Sequence, residues 1–331
     1  MFEKASDALK DASSLFILNL NPCSTYQNPN IVAAVIKVTS HNKSHIDYRS
    51  AQRIFAWIRV SGHNICPVLS ALSTRMERTH SWIVALKGLM LLHGIMSCKI
   101  HAVQNIGHLS FDLSSFKDRN PNLYHHEAFI RAYYRYLDAK ASLMSHHIKE
   151  KKEGRLRKGI KEKPKQSSMT QDLVWLENLQ GLLDMLLEIK PQRDNMMNVL
   201  VLEAMDCIVI EIFDIYRRIC KGIATIFVRI YSIEKPKAQI ALLIMKKAAV
   251  QADKLSRYVD FCMDFGVIKA SKTPKIVHIH EQDIRALEQL INRDSSQQKH
   301  DRLIPREQDK STMCTQDNNI MKTDSLRLGV T

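Results

Sequence analysis

Only ten glycines and nine prolines punctuate 331 residues, and between them run long stretches in which apolar side chains return every three or four positions. Alternating apolar and polar residues, the mark of a half-buried strand, are almost absent. That combination predicts helices throughout and an all-α fold. Leu173, Leu176, Leu179, Leu183, Leu186 and Leu187 form one stripe that stops at Pro191. A second runs Leu200, Ala204, Cys207, Ile208, Ile212, Ile215, Ile219, Ile223 and Phe227. Glu203, Asp206, Glu211, Asp214, Arg217 and Arg218 lie on the other side of that second helix and are expected to be its wet face. Consecutive helices of this kind belong in a bundle or solenoid core.

Between Lys149 and Lys165 stand nine Lys or Arg and three Glu, a local +6 within a chain whose formal net charge is +14. Gly154, Gly159 and Pro164 are expected to interrupt any helix there, so about 146–168 reads as a basic linker. It separates a half of shorter helices from a half of longer ones. Residues 292–331 are polar and read as a disordered tail, leaving 1–291 as the folded domain.

The positive balance favours polyanionic partners. The linker contains no aromatic residue on which bases would stack, which counts against nucleic acid. Trp57, Trp82 and Trp175 sit in apolar stripes and read as core fillers. Seven scattered cysteines, odd in number and without a C-x-x-C pair, fit a reducing compartment. No run approaches the roughly 20 apolar residues of a membrane span, and Glu3 and Asp7 are foreign to a secretory signal, so the expectation is a cytosolic protein. The sequence holds no phosphate loop, dinucleotide fingerprint, nucleophile elbow or zinc-protease helix, which argues against an enzyme and against a cofactor. The histidine pairs, His41 with His45, His125 with His126, His146 with His147 and His278 with His280, lack the Cys or carboxylate company of a metal site.

Residues 33–57, AAVIKVTSHNKSHIDYRSAQRIFAW, resemble the opening of the ANTH domain of clathrin assembly proteins, where a Lys-x-[Ser/Thr]-x-His segment joins two helices. Residues 71–99, ALSTRMERTHSWIVALKGLMLLHGIMSCK, are similar to the plant branch of that family. FDLSSF at 111–116, FIRAYYRYLDAK at 129–140 and the stretch 200–230 match further family segments, so the resemblance covers about residues 1–291.

The resemblance implies an ANTH-type helical solenoid with longer C-terminal helices, docking on phosphatidylinositol 4,5-bisphosphate membranes through exposed lysines and a histidine. Lys37, His41, Lys43 and His45 are the matching candidates. Thr39 and Ser40 would add hydroxyl donors, and helix N-termini beside the loop would offer free N–H groups to phosphate. The basic loop is shorter than the family's, with Ser44 where a Lys or Arg precedes the histidine. Resemblance alone implies clathrin as a partner, peripheral residence on plasma-membrane coated pits and coated vesicles or the Golgi, and R-SNARE cargo held by a terminal helix bearing Ile284, Leu287, Leu290 and Ile291. The alternative for that helix is packing on its own domain. No DPF or NPF tripeptide is present, and the nearest approach to a clathrin box, Leu303 to Glu307, carries Arg306 in place of an apolar anchor. A divergent scaffold working mainly through protein partners is the competing reading.

Overall fold

The computed structural model describes residues 9–14, 28–98, 100–156, 168–192, 196–229, 234–279 and 281–301. A helical segment at 9–14 precedes α1 (Pro29–Val38), α2 (Tyr48–Val60), α3 (Ile65–Glu77), α4 (Trp82–Ser97) and the single turn α5 (His101–Gln104). Then come α6 (Tyr124–Leu156), α7 (Met169–Leu187), α8 (Val199–Val228), α9 (Lys235–Asp264) and α10 (Glu281–Asp301). No strand occurs among the described residues, so the all-α expectation holds.

Local chemistry sets the helix starts. Asn28 accepts from the Asn30 amide ahead of Pro29, Asp47 from Ser50, Ser168 from Gln171 and Asn198 from Val201. Each of these side chains satisfies an amide that the first helical turn leaves without a partner. Packing then runs from neighbour to neighbour. α1 lies against α2 and α3, α4 against α6 and α8, α7 against α6, α8 and α9, and α9 against α10. One continuous apolar core threads all of them.

Helix α4 is buried on nearly every side, which places it at the centre of the N-terminal half. A Cβ on Gly88 would lie 2.2 Å from Met76 Sδ, so the Met76 side chain of α3 fills the space that glycine leaves on α4. The Leu173–Leu187 stripe is buried as its spacing predicts, and the α8 stripe is buried apart from the half-buried Cys207 and Phe227.

Three features depart from the sequence expectation. Helix α6 runs through Gly154 to Leu156 before the described residues break off. Extending an existing helix fixes one residue per new hydrogen bond and needs no new nucleus, so a single glycine costs only about 1 kcal/mol. The remainder of the basic stretch, 157–167, lies outside the described residues. Helix α10 carries the chain to Asp301, ten residues into the stretch read as a tail, and 302–331 lie outside the described residues.

Glu211, assigned to the wet face of α8, instead faces inward with its side chain only 12% exposed. Lys140 Nζ stands 2.7 Å from its Oε1, Tyr136 donates its hydroxyl to the same oxygen at 2.9 Å, and His93 Nε2 lies 3.4 Å from Oε2. His93 Nδ1 meets the Tyr133 hydroxyl at 2.7 Å. Burial drives the His93 pKa down and keeps the ring neutral, so Nε2 carries the proton toward Glu211 and Nδ1 accepts from Tyr133. Burial alone would raise the Glu211 carboxyl, but the His93 hydrogen bond and the Lys140 charge prevail and hold it well below the usual carboxylate range. This network ties α4 and α6 to α8.

Candidate functional site

Lys37 occupies the last turn of α1 with its side chain exposed. The chain then turns through Thr39, which is fully buried, its hydroxyl donating to Val35 O at 2.7 Å. Beneath the loop that follows lies Lys87 of α4, itself without exposure. Its ammonium donates to Ser40 O at 3.0 Å, Ser40 Oγ at 3.3 Å and His45 O at 2.8 Å. Three donors meet three acceptors, and both shoulders of the loop are pinned to one buried nitrogen. Burial lowers the Lys87 pKa to about 8 against the opposing pull of Asp11, Glu203 and Asp47. The amine is therefore still charged at neutral pH.

The loop is held from the outside as well. Asp11, in the 9–14 segment, accepts the His41 backbone N–H at 2.8 Å on Oδ2 and meets His41 Nδ1 at 2.8 Å on Oδ1. Arg75 Nη2 of α3 donates to the same Oδ1 at 2.7 Å and to Thr39 O at 3.2 Å. On the far side Tyr48 engages Glu203 of α8, and burial followed by that contact pushes its pKa up to about 12.

What the scaffold presents to solvent is Lys37, Lys43 and His45. Asn42 accepts the Ser44 backbone N–H at 2.8 Å, an Asx turn with Lys43 at its tip. Lys43 lies toward His126, whose pKa falls through burial first and through the Lys43 charge among the lesser causes. His126 in turn packs its ring 4.3 Å from that of Trp82.

Of the four predicted lipid-binding residues Lys37, in the last turn of α1, and Lys43 and His45, in the loop that follows, are exposed, while His41 is turned into the Asp11 clamp. Thr39 and Ser40 spend their side chains on Val35 and Lys87. The expected free helix N-terminus is filled: Asp47 Oδ1 takes the Ser50 amide at 3.0 Å and Oδ2 the Ser50 hydroxyl at 2.8 Å. Those two bonds, with the charge of Lys37 assisting, hold the Asp47 carboxyl below its ordinary value. A carboxylate at that position opposes an anion arriving there.

Residues 30–293 match the ANTH domain family. The chain belongs to the ANTH domain family. Among its relatives are three Arabidopsis thaliana proteins, each named "Putative clathrin assembly protein". They are 45%, 38% and 36% identical over 88% of this chain in each case, and over 76%, 77% and 81% of their own lengths. The matched ANTH span holds the loop, Lys87 and Arg75 but begins after Asp11.

Sequence reasoning missed Lys87, Arg75 and Asp11. A lone lysine inside the apolar run 82–92 was the available signal, since a cation surrounded by core residues needs acceptors from elsewhere. Nothing local marks Asp11, which acts across 30 residues of chain.

At the other end of the ANTH domain, Leu287 and Ile291 of α10 are buried, Ile284 packs on the core, and Glu288 pairs with Lys246 of α9. The side chain of Leu290 lies outside the described residues, as does the Leu303 to Glu307 segment. Among the described residues no helix is long and apolar enough to cross a membrane, and no group of three or more His, Cys, Asp or Glu is placed to hold a metal.

Proposed function

We propose that this ANTH domain docks on membranes rich in phosphatidylinositol 4,5-bisphosphate and serves there in clathrin coat assembly, acting by binding alone. The observation that carries the reading is an exposed stretch, Lys37 at the end of α1 with Lys43 and His45 in the following loop, whose loop is anchored at both shoulders by the buried Lys87. A fixed loop keeps its cations together without the ordering entropy a mobile segment would lose on binding.

Each lysine near an acidic membrane contributes about 1 kcal/mol, so Lys37 and Lys43 give a modest site that gains from a polyvalent headgroup and from avidity. The clathrin part of the reading is supported by the names of the relatives. R-SNARE cargo selection belongs to the same reading, with α10 as the helix a SNARE segment would have to displace, since Leu287 and Ile291 are already buried.

Sedimentation with vesicles tests the proposal. Vesicles containing the bisphosphate lipid should carry the protein down, and phosphatidylserine vesicles matched in surface charge should carry down much less. Equal partitioning would leave only diffuse attraction by a +14 chain. Absence of binding to either, with clathrin or SNARE capture retained, would favour the protein-scaffold reading.

A further inference from the structure

The Asp11 clamp has the form of an occupied anion site. Three donors from two elements converge on one carboxylate: the His41 amide at 2.8 Å, His41 Nδ1 at 2.8 Å and Arg75 Nη2 at 2.7 Å. Carboxylates and phosphates accept such donors in the same geometry. We propose that this cradle of His41 and Arg75 is a subsite for a phosphomonoester of an inositol-lipid headgroup, filled by Asp11 in the resting protein, and that the 9–14 segment is the latch that must leave to open it.

Two further observations support the latch. Arg75 Nε is buried with no hydrogen-bond partner, so the guanidinium keeps donor capacity that the two-oxygen carboxylate does not use. None of the residues 9–14 belongs to the buried core, and Leu9 is 69% exposed. Among the described residues the segment's contacts with the loop include the polar ones of Asp11, and residues 9–14 themselves put no apolar side chain into the core.

His41 of the cradle belongs to the same loop as Lys43 and His45 and follows Lys37 by four residues, which keeps the subsite close in the chain to the side chains of the docking reading. A phosphomonoester carries about −1.5 to −2 charges at neutral pH and three acceptor oxygens, against one charge and two oxygens for Asp11. Because the competing carboxylate belongs to the same chain, it acts at high effective concentration and lowers the apparent affinity by the fraction of time it is in place. The inference rests on the phosphoinositide reading and adds a regulated second contact to it.

The test is Asp11→Asn in the full chain, assayed by vesicle sedimentation. Binding to bisphosphate-lipid vesicles should tighten about threefold or more, with a much smaller change on charge-matched phosphatidylserine vesicles. Arg75→Gln in the Asp11→Asn background should abolish the gain. Soluble inositol trisphosphate should compete better against Asp11→Asn than against the parent if the phosphate chemistry is read directly, and equally for both if the gain comes from the membrane surface, which overturns the subsite. Asp11→Ser serves if Asp11→Asn proves unfolded by its thermal transition.

Parent binding that Lys37→Glu with Lys43→Glu removes, together with no tightening in either Asp11 variant, overturns the latch and spares the docking reading. Failure of every protein to bind overturns both.

Discussion

Lys140→Met removes the ammonium from the buried network while keeping most of the side-chain bulk. Glu211, 12% exposed, would then retain only the Tyr136 hydroxyl at 2.9 Å and the long His93 contact at 3.4 Å. Stranding one member of a buried ion pair costs about 3–5 kcal/mol. At roughly 2 °C per kcal/mol for a domain of this size, the thermal midpoint should fall by about 6–10 °C. Adding Glu211→Gln removes the stranded charge yet leaves an acceptor for Tyr136, so the double variant should recover more than half of the loss.

The pH dependence has a definite sign. In the parent the Glu211 pKa lies below its ordinary value of 4.5, so the network's contribution is full above that pH and drains as pH falls further. Without Lys140, burial prevails and the carboxyl pKa rises, while His93, no longer opposed by the Lys140 charge, protonates more readily and pairs with it. The gap between parent and variant should therefore narrow from about pH 7 to about pH 5. Urea unfolding followed by far-ultraviolet circular dichroism measures both quantities. A loss below about 1 kcal/mol, or a gap that does not change with pH, would refute the argument.

Three further outcomes are expected. Lys87→Met should speed amide exchange across residues 40–46 and weaken vesicle binding even though no exposed cation changes, because the loop loses all three bonds to that nitrogen; unchanged exchange would contradict it. Leu287→Ser with Ile291→Ser should lower the thermal midpoint by several degrees, since both side chains are buried against the domain; an unshifted midpoint would mean that α10 is not part of the core. Asp47→Ala should cost about 1 kcal/mol of stability through the lost α2 cap and at the same time raise vesicle binding by removing a carboxylate beside Lys37.

Fold class was legible because burial imposes its period directly: the α7 stripe from Leu173 to Leu187 is buried as its spacing requires. Polar placement was harder to read. The 3.6-residue rule puts Glu211 on the solvent face with Asp214, yet Lys140, 71 residues earlier, pairs with it and stabilises its burial. The basic loop was recognisable from its residues at 33–57, but its sequence does not disclose that His41 faces a carboxylate at position 11 or that Lys87 lies beneath it. Those pairings exist only once α1, α3 and α4 have packed. Gly154 does not break α6 because its cost is small beside the continuity of a helix already 30 residues long at that point.

Docking on an inositol-lipid headgroup requires the exposed lysines at the end of α1 and in the α1–α2 loop, and charge reversal there tests it most directly. Lys37→Glu with Lys43→Glu should lower sedimentation with bisphosphate-lipid vesicles several-fold while leaving the thermal midpoint in place, because exposed lysines contribute little to folding. Equal sedimentation of the parent and the double variant, both folded, would contradict the account.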